Sequence, residues 1–526
     1  LSRYALQLAT LCVVLLPLPI PFVCEDTGQA FAGSPRAEST TASPESRPNI
    51  LIVYTDDQAA WAVGNAVKQG QFDDVPAAVT PHMDRLAREG VVFENFFCTT
   101  PVCSPARATW MTGRYASEFG IHDFIPMPGH KLFDPQQQVF LDPDQSQTFA
   151  ELLRQQGYRT GLVGKWHLGD WTLPGHERFH PTNHGFDYFM GLTGGGTSPK
   201  DPELEENGEV RKLKGLTTDL LAERALKFID RNQDRRFLLC VHTRAPHGAW
   251  LPVAPEDWQP YESLDPTIPN PSYPDLNVGK MKRQMREYLA STSGVDRNLG
   301  KLLDRLDQLR LTDKTVVIFS SDHGYTMGHN GIWHKGNGIW ATKKTPRGTH
   351  QGTRVISSKY RPNLYDHSLR TPAIVRWPGV AKADHVVRDT ATSLDLWPTI
   401  AEIAGVEMGR VTGNRGEQDN RQPVAASELP GRSLVPLLRG ERPVGWRQDF
   451  FAEYKMINYA EADLVACRTP HYKLIRDRQN EGRDEFYDLR NDPGETNNLI
   501  ADSSPPILEA IRRLDEKLTR WMASMK

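Results

Sequence analysis

Four short, apolar, β-branched runs recur along the chain: NILIVYTDD from Asn49, RTGLVGKWH from Arg159, RFLLCVHTRAPH from Arg236 and TVVIFSSDHG from Thr315. Continuous hydrophobicity over so few residues reads as a strand covered on both faces. Between the runs the pattern takes a helical period. TPHMDRLAREG has Pro81 near its start and Gly90 at its end, and TFAELLRQQG closes on Gly157. LTTDLLAERALKFIDR is helical from Leu216. A long segment from about Lys280 to Arg310 lines up Leu299, Leu302, Leu303, Leu306 and Leu309 on one face. Strands alternating with helices predict an α/β fold, a large, mostly parallel sheet sandwiched by helices. After about Leu438 the stretches WRQDFFAEYKMINYAEADLVACRTPHYKLIRDR and DEFYDLRNDPGETNNL read as short antiparallel strands and turns. An amphipathic helix from about Pro506 closes this smaller C-terminal subdomain.

Each of the four strands runs out into charged or imidazole side chains: Asp56 and Asp57, Lys165 with His167, His247 shortly beyond its strand, and Asp322 with His323. Ligands of open α/β sheets bind outside the carboxyl ends of strands, so these groups are expected to share one pocket. The stretch TTPVCSPARATWMTGRY, Thr99 to Tyr115, adds another candidate. Ser104 suits a helix N-cap and Pro105 the first helical position. Cys103 would then stand at the mouth of a helix N-terminus, where free N–H groups and the dipole favour anions. Arg107 adds a fixed positive charge one turn on.

Composition narrows the function. The 526 residues carry a formal net charge of -3, which does not suggest a nucleic-acid partner. The first 24 residues, LSRYALQLATLCVVLLPLPIPFVC, have a basic residue and then a proline-broken apolar run. With the small-x-small AFA at Ala30–Ala32, they read as a signal peptide over 1–32 and predict export to the periplasm or outside, without stable membrane insertion. Pro-Phe-Val before Cys24 matches a lipid-attachment site poorly. Residues 33–47 have linker composition. The expected division of the rest is a catalytic domain over 48–438 and a C-terminal subdomain over 439–526. Of six cysteines, Cys98, Cys103, Cys240 and Cys467 lie beyond the signal segment. That is no disulfide framework, although one pairing is open.

Three carboxylates and an imidazole, Asp56, Asp57, Asp322 and His323, suit Ca²⁺ or Mg²⁺ and leave Mn²⁺ open. Around them stand Arg107, Lys165, Lys335, His167 and His247. A cation with Arg and Lys at a helix N-terminus makes a site for a tetrahedral anion, sulfate or phosphate. A phosphatase-type thiolate needs Cys-x5-Arg; Arg107 follows Cys103 by four and excludes it.

CSPAR followed by ATWMTGRY resembles the signature of the type I sulfatases, members of the alkaline phosphatase-like superfamily. NILIVYTDDQ, GYRTGLVGKWHLG, APHGAW, SSDHGYTMGHNGIWHKGN, LRTPAIVRWPG and FYDLRNDPGETNNL extend the resemblance from about Pro48 to Asn498. It implies that a formylglycine-generating enzyme oxidises Cys103 to formylglycine, whose hydrate is the nucleophile and presents a hydroxyl to the metal. It also implies calcium held by Asp56, Asp57, Asp322 and His323, with Arg107 steadying the hydrate and the carboxylates. Lys165 and Lys335 would bind sulfate oxygens. His247 would bind substrate and protonate the leaving alcohol, and His167 would act as base. The implied substrate is a sulfated small molecule or saccharide. His323 stands where many sulfatases have Asn, so a phosphonate or phosphodiester hydrolase on the same scaffold is an alternative. A catalytically inactive protein that binds sulfated glycans is another. Finally, TKKTPRGTHQGTRVISSKYR, 342–361, holds Lys343, Lys344, Arg347, Arg354, Lys359 and Arg361 without an acid. It is expected to form a positive rim that draws in polyanionic saccharides.

Overall fold

The computed structural model describes residues 47–68, 72, 75–344, 359–406 and 429–525. The segment expected to be a signal peptide, most of the expected linker, and Arg347 and Arg354 of the basic stretch lie outside the described residues.

Ten described strands form the main sheet. In chain order they are β1 (Asn49–Thr55), β2 (Val91–Phe93), β3 (Arg159–Lys165), β4 (Tyr188–Leu192), β5 (Glu203–Glu206), β6 (Glu209–Lys212), β7 (Phe237–His242), β8 (Thr315–Ser321), β9 (Ala373–Arg376) and β10 (His385–Val387). Their order across the sheet is β10-β2-β9-β8-β1-β7-β3-β4-β5-β6. The central strands are parallel: Ile52 of β1 pairs with Cys240 of β7 and Ile318 of β8, and Leu162 of β3 with Cys240. Antiparallel pairing enters at β9 on one side and at β5 and β6 on the other.

All seven residues of β1 are buried because each face meets its own core. Ile50, Ile52 and Tyr54 join Trp110 and Trp397 on one side; Leu51 and Val53 join Leu299, Leu302, Leu303 and Leu306 on the other. Helices α1 (Pro81–Glu89), α2 (Cys103–Thr112), α3 (Phe149–Gln155), α4 (Thr217–Asn232) and α5 (Val278–Gln308) supply these layers. The long helix thus begins two residues before the sequence pattern indicated, where the Asn277 side chain accepts from the Lys280 N–H.

The C-terminal sheet is antiparallel: β11 (Phe450–Met456), β12 (Ala462–Arg468), β13 (Tyr472–Asp477) and β14 (Glu485–Asp488). One face receives α6 (Pro505–Ser524) through Leu514 and Leu518. The other closes over Phe97, Val102, Ile332 and Leu364, with Phe97 and Phe450 stacked at 4.5 Å. Cys98, Cys103, Cys240 and Cys467 are free and buried. No helix among the described residues is long and apolar enough to cross a membrane.

Candidate functional site

The sheet brings β1, β3, β7 and β8 side by side and parallel, so their carboxyl ends open on one edge. Asp56 and Asp57 follow β1, Lys165 ends β3, and Asp322 and His323 follow β8. Asp57 and His167 hold positive φ, 66° and 59°. That conformation is uncommon outside glycine, tolerated best by Asp, Asn and His, and concentrated at functional sites. At Gly164 a Cβ would sit 1.9 Å from the His242 carbonyl oxygen, so only glycine fits one residue before Lys165.

Helix α2 starts at Cys103 with Val102 as its N-cap; the sequence placed Ser104 there. The Ser104 hydroxyl is taken elsewhere, accepting from the Ile125 N–H at 3.0 Å. The entire helix is buried and packs against Tyr54: Trp110 stacks on that ring at 4.0 Å and Arg107 lies 5.3 Å from its centre. Cys103 is therefore in the first turn.

Around its sulfur the charges interlock. Lys335 Nζ lies 2.9 Å from Cys103 Sγ and 2.6 Å from Asp57 Oδ1. Lys165 Nζ lies 2.6 Å from Asp56 Oδ2. Arg107 Nη2 donates to Asp322 Oδ2 at 3.1 Å, with Asp56 Oδ1 at 3.8 Å. Asp56, Asp57, Cys103 and His323 offer ligand atoms all within 4.8 Å of one another. Asp322 is outside that set; its Oδ1 accepts the N–H groups of Asp57 and His323. Near this group, His323 Nδ1 faces the Gly324 carbonyl at 3.0 Å and so carries the ring proton. The Nε2 lone pair then points toward Asp57 Oδ1 at 3.3 Å and Asp322 Oδ1 at 3.5 Å. A lone pair facing two carboxylate oxygens fits a divalent cation between them.

Burial opposes ionisation of Asp56, yet Lys165, His247 and Arg107 hold it well below the carboxylate range. Asp57 is likewise lowered against burial, chiefly by Lys335. Asp322, with less cationic company, is pushed up to about 7 by burial. Burial also raises the Cys103 thiol, against the pull of Lys165 and Lys335. A neutral, buried thiol is a poor nucleophile.

A cavity of about 550 Å³ opens above Cys103 and is lined also by His167, His247, His334 and Lys335. His167 Nε2 faces the Ile125 carbonyl at 2.9 Å, which leaves Nδ1 without a hydrogen-bond partner. His247 Nδ1 faces the Gly248 carbonyl, Nε2 is 3.9 Å from Asp57 Oδ2, and burial pushes the ring down to about 4. Sequence reasoning passed over His334, although it adjoins Lys335; its Nδ1 meets Asn337 Oδ1 at 2.7 Å. It also passed over buried Arg244, whose charge interacts with Asp56 and Asp57.

The basic rim is corrected in part. Arg361 is buried, and its guanidinium pairs with Glu485 at 2.7 Å, so it faces no solvent. Lys343, Lys344 and Lys359 are exposed.

A family model described as "Sulfatase" matches residues 48–406, and one described as "N-sulphoglucosamine sulphohydrolase, C-terminal" matches 419–524. The chain is 26% identical to an N-acetylglucosamine-6-O-sulfatase of Bacteroides thetaiotaomicron, over 90% of this chain and 85% of that protein. It is 27% identical to an ulvan-active sulfatase of Formosa agariphila, over 91% and 82%. Among solved structures, a protein in complex with its substrate D-glucosamine-2-N,6-O-disulfate has the same fold. Its TM-score is 0.70 at 24% identity, covering 91% of this chain and 98% of that one.

Proposed function

The chain belongs to the sulfatase family and is a sulfuric ester hydrolase; from that premise we propose that it cleaves a sulfated saccharide with a formylglycine made from Cys103. The observation that carries this reading is the place of Cys103 at the cavity floor, 2.9 Å from an ammonium and 3.5 Å from the Asp56 carboxylate. A thiol gains little there, whereas an aldehyde hydrate gains an electrophile-binding lysine and an acceptor for its proton. The folded chain buries Cys103, so the formylglycine-generating enzyme must act on the CSPAR segment before folding closes over it. Export through the N-terminal segment belongs to the same proposal, as does the division at 438.

Asp56, Asp57, Asp322, His323 and residue 103 would hold the divalent cation, Ca²⁺ in our reading. When bound, it supplies neutralising charge and lowers the pKa of a hydroxyl. Lys165 and Lys335 bind sulfate oxygens and stabilise charge that builds there. Arg107 keeps Asp322 and Asp56 aligned. One hydroxyl of residue 103 gives its proton to the Asp56 carboxylate and attacks sulfur, the bond from sulfur to the sugar oxygen breaks, and His247 gives that oxygen a proton. An anionic sulfate ester in the cavity offsets the burial that keeps His247 neutral. His167, with its unpartnered Nδ1, then takes the proton of the second hydroxyl. Its oxygen closes to the aldehyde carbonyl and the bond to sulfate breaks.

The test is turnover by purified protein of an aryl sulfate, defined sulfated saccharides and an aryl phosphodiester. Sulfate esters should be cleaved and the phosphodiester should be far slower. The reverse preference would establish the phosphodiesterase alternative that His323 raises.

A further inference from the structure

One wall of the cavity is aromatic. Phe124, His130 and Tyr459 line it: Phe124 and Tyr459 meet with ring centres 5.5 Å apart, Phe124 and His130 are edge-on at 5.6 Å, and Tyr459 in turn stacks on Tyr360, outside that lining, at 5.3 Å with planes 5° apart. All four rings are half-buried. The edge of this face is polar, with Tyr459 Oη 3.2 Å from His130 Nε2. Over it stand two ammonium groups: Lys131 Nζ 5.4 Å from the centre of Tyr459 and Lys359 Nζ 5.3 Å from that of Tyr360. Both lysines are exposed, and neither has a carboxylate within ion-pair distance among the described residues.

The wall is built across two remote segments, and a buried carboxylate fastens them. Asp123 accepts the Phe124 N–H at 2.8 Å on Oδ1, and the N–H groups of Ile457 and Asn458 at 3.0 and 3.1 Å on Oδ2. The Tyr454 hydroxyl adds a fourth bond at 3.3 Å, and Asn458 Nδ2 donates to the Phe124 carbonyl at 2.7 Å. The β11–β12 turn of the C-terminal sheet is thereby held against the loop that carries Phe124 and His130. Tyr459 enters the same cavity as Cys103 for this reason.

We propose that this wall is a second subsite, which takes a saccharide carrying another anionic group besides the scissile sulfate. The inference rests on the sulfatase reading above. A pyranose has an apolar C–H face and a polar rim, and a half-exposed aromatic face edged by Tyr and His groups matches both. Two ammonium groups without a carboxylate partner match the second anion. They also concentrate such a ligand at the mouth of a protein whose net charge is negative.

The experiment separates this subsite from catalysis. Binding of a monosulfated saccharide, and of the same saccharide with a second sulfate, is measured by calorimetry on Cys103→Ala protein at low salt. Turnover of both is measured on modified enzyme. The disulfated ligand should bind about tenfold more tightly than the monosulfated one. The double variant Lys131→Gln/Lys359→Gln should erase that preference, and about 0.5 M salt should weaken it. Tyr459→Ala should reduce kcat/KM for saccharides by a larger factor than for an aryl sulfate, and Tyr459→Phe should restore much of the loss. A preference that survives the lysine double variant overturns the subsite, as does its absence in the native sequence. Turnover without discrimination removes the subsite and leaves the sulfatase reading standing. Discrimination without turnover does the opposite.

Discussion

At Asp57 one carboxylate does two things: its Oδ1 neutralises buried Lys335 at 2.6 Å, and it belongs to the group of possible metal ligands. Asp57→Ala would leave Lys335 buried without that partner, a change that costs about 3–5 kcal/mol where a buried pair is broken. Metal content by elemental analysis and sulfate-ester turnover should fall together. Activity that persists in metal-free protein would contradict the assignment. His323→Asn is the finer probe, since Asn offers an oxygen where the imidazole offers Nε2. Metal should remain while the preference among Ca²⁺, Mg²⁺ and Mn²⁺ shifts, as read by competitive reloading. An unchanged preference would remove His323 from the ligands.

Helix α1 depends on a neighbour for its cap. Thr80, its N-cap, makes no side-chain cap bond; its hydroxyl accepts from Gly64 instead. Asp296, midway along α5, accepts the first-turn N–H groups of His82 and Met83 at 3.1 and 2.7 Å. Asp296→Ala should cost about 1–3 kcal/mol, measured by denaturant unfolding. The same group sets a pH dependence. Burial pushes Asp296 up to about 7, against the pull of the two N–H groups. The folded chain then keeps a proton that the unfolded chain releases. This contribution is complete below about pH 4 and is lost as pH rises through about 7. Asp296→Asn does not titrate, so its Tm should rise relative to the native sequence from pH 4 to 7. A difference flat in pH would show that Asp296 titrates normally. The central strands were legible because both faces are buried and no polar alternation interrupts them. The last two strands at one end of the sheet, β5 and β6, ELEE and EVRK, were not: they owe their state to antiparallel pairing with β4 and with each other. Ser104 misled for a similar reason, since its hydroxyl serves the Ile125 backbone rather than α2.

Across the molecule, the C-terminal sheet is tied to the edge of the main sheet that carries the candidate site by buried charge. Lys473 joins Asp366 at 2.8 Å and Glu495 at 2.7 Å, and Arg468 meets Asp366 at 2.9 Å. Two residues after Asp366, the Ser368 carbonyl accepts the Gly324 N–H directly behind His323. Lys473→Met should destabilise the fold by about 3–5 kcal/mol because it strands a buried carboxylate. Chemical denaturation should show a lower midpoint; an unaltered midpoint would mean that the network carries no net stability. These long-range partners explain what the sequence withheld. Arg361 read as a rim charge because Glu485, its partner, is 124 residues away. Tyr459 carried no motif, and the contacts that hold its turn at the cavity, to Asp123, Phe124 and His130, lie more than 300 residues away in sequence. The strand-end residues were legible because chain topology alone places them together. The central claim concerns residue 103, and one measurement tests it most directly. Preparations with graded conversion are digested, and the peptide spanning residue 103 is weighed by mass spectrometry beside sulfate-ester turnover of the same samples. Turnover should be proportional to the aldehyde fraction and vanish with it, as in Cys103→Ala. Full turnover from protein whose residue 103 is entirely thiol would contradict the account.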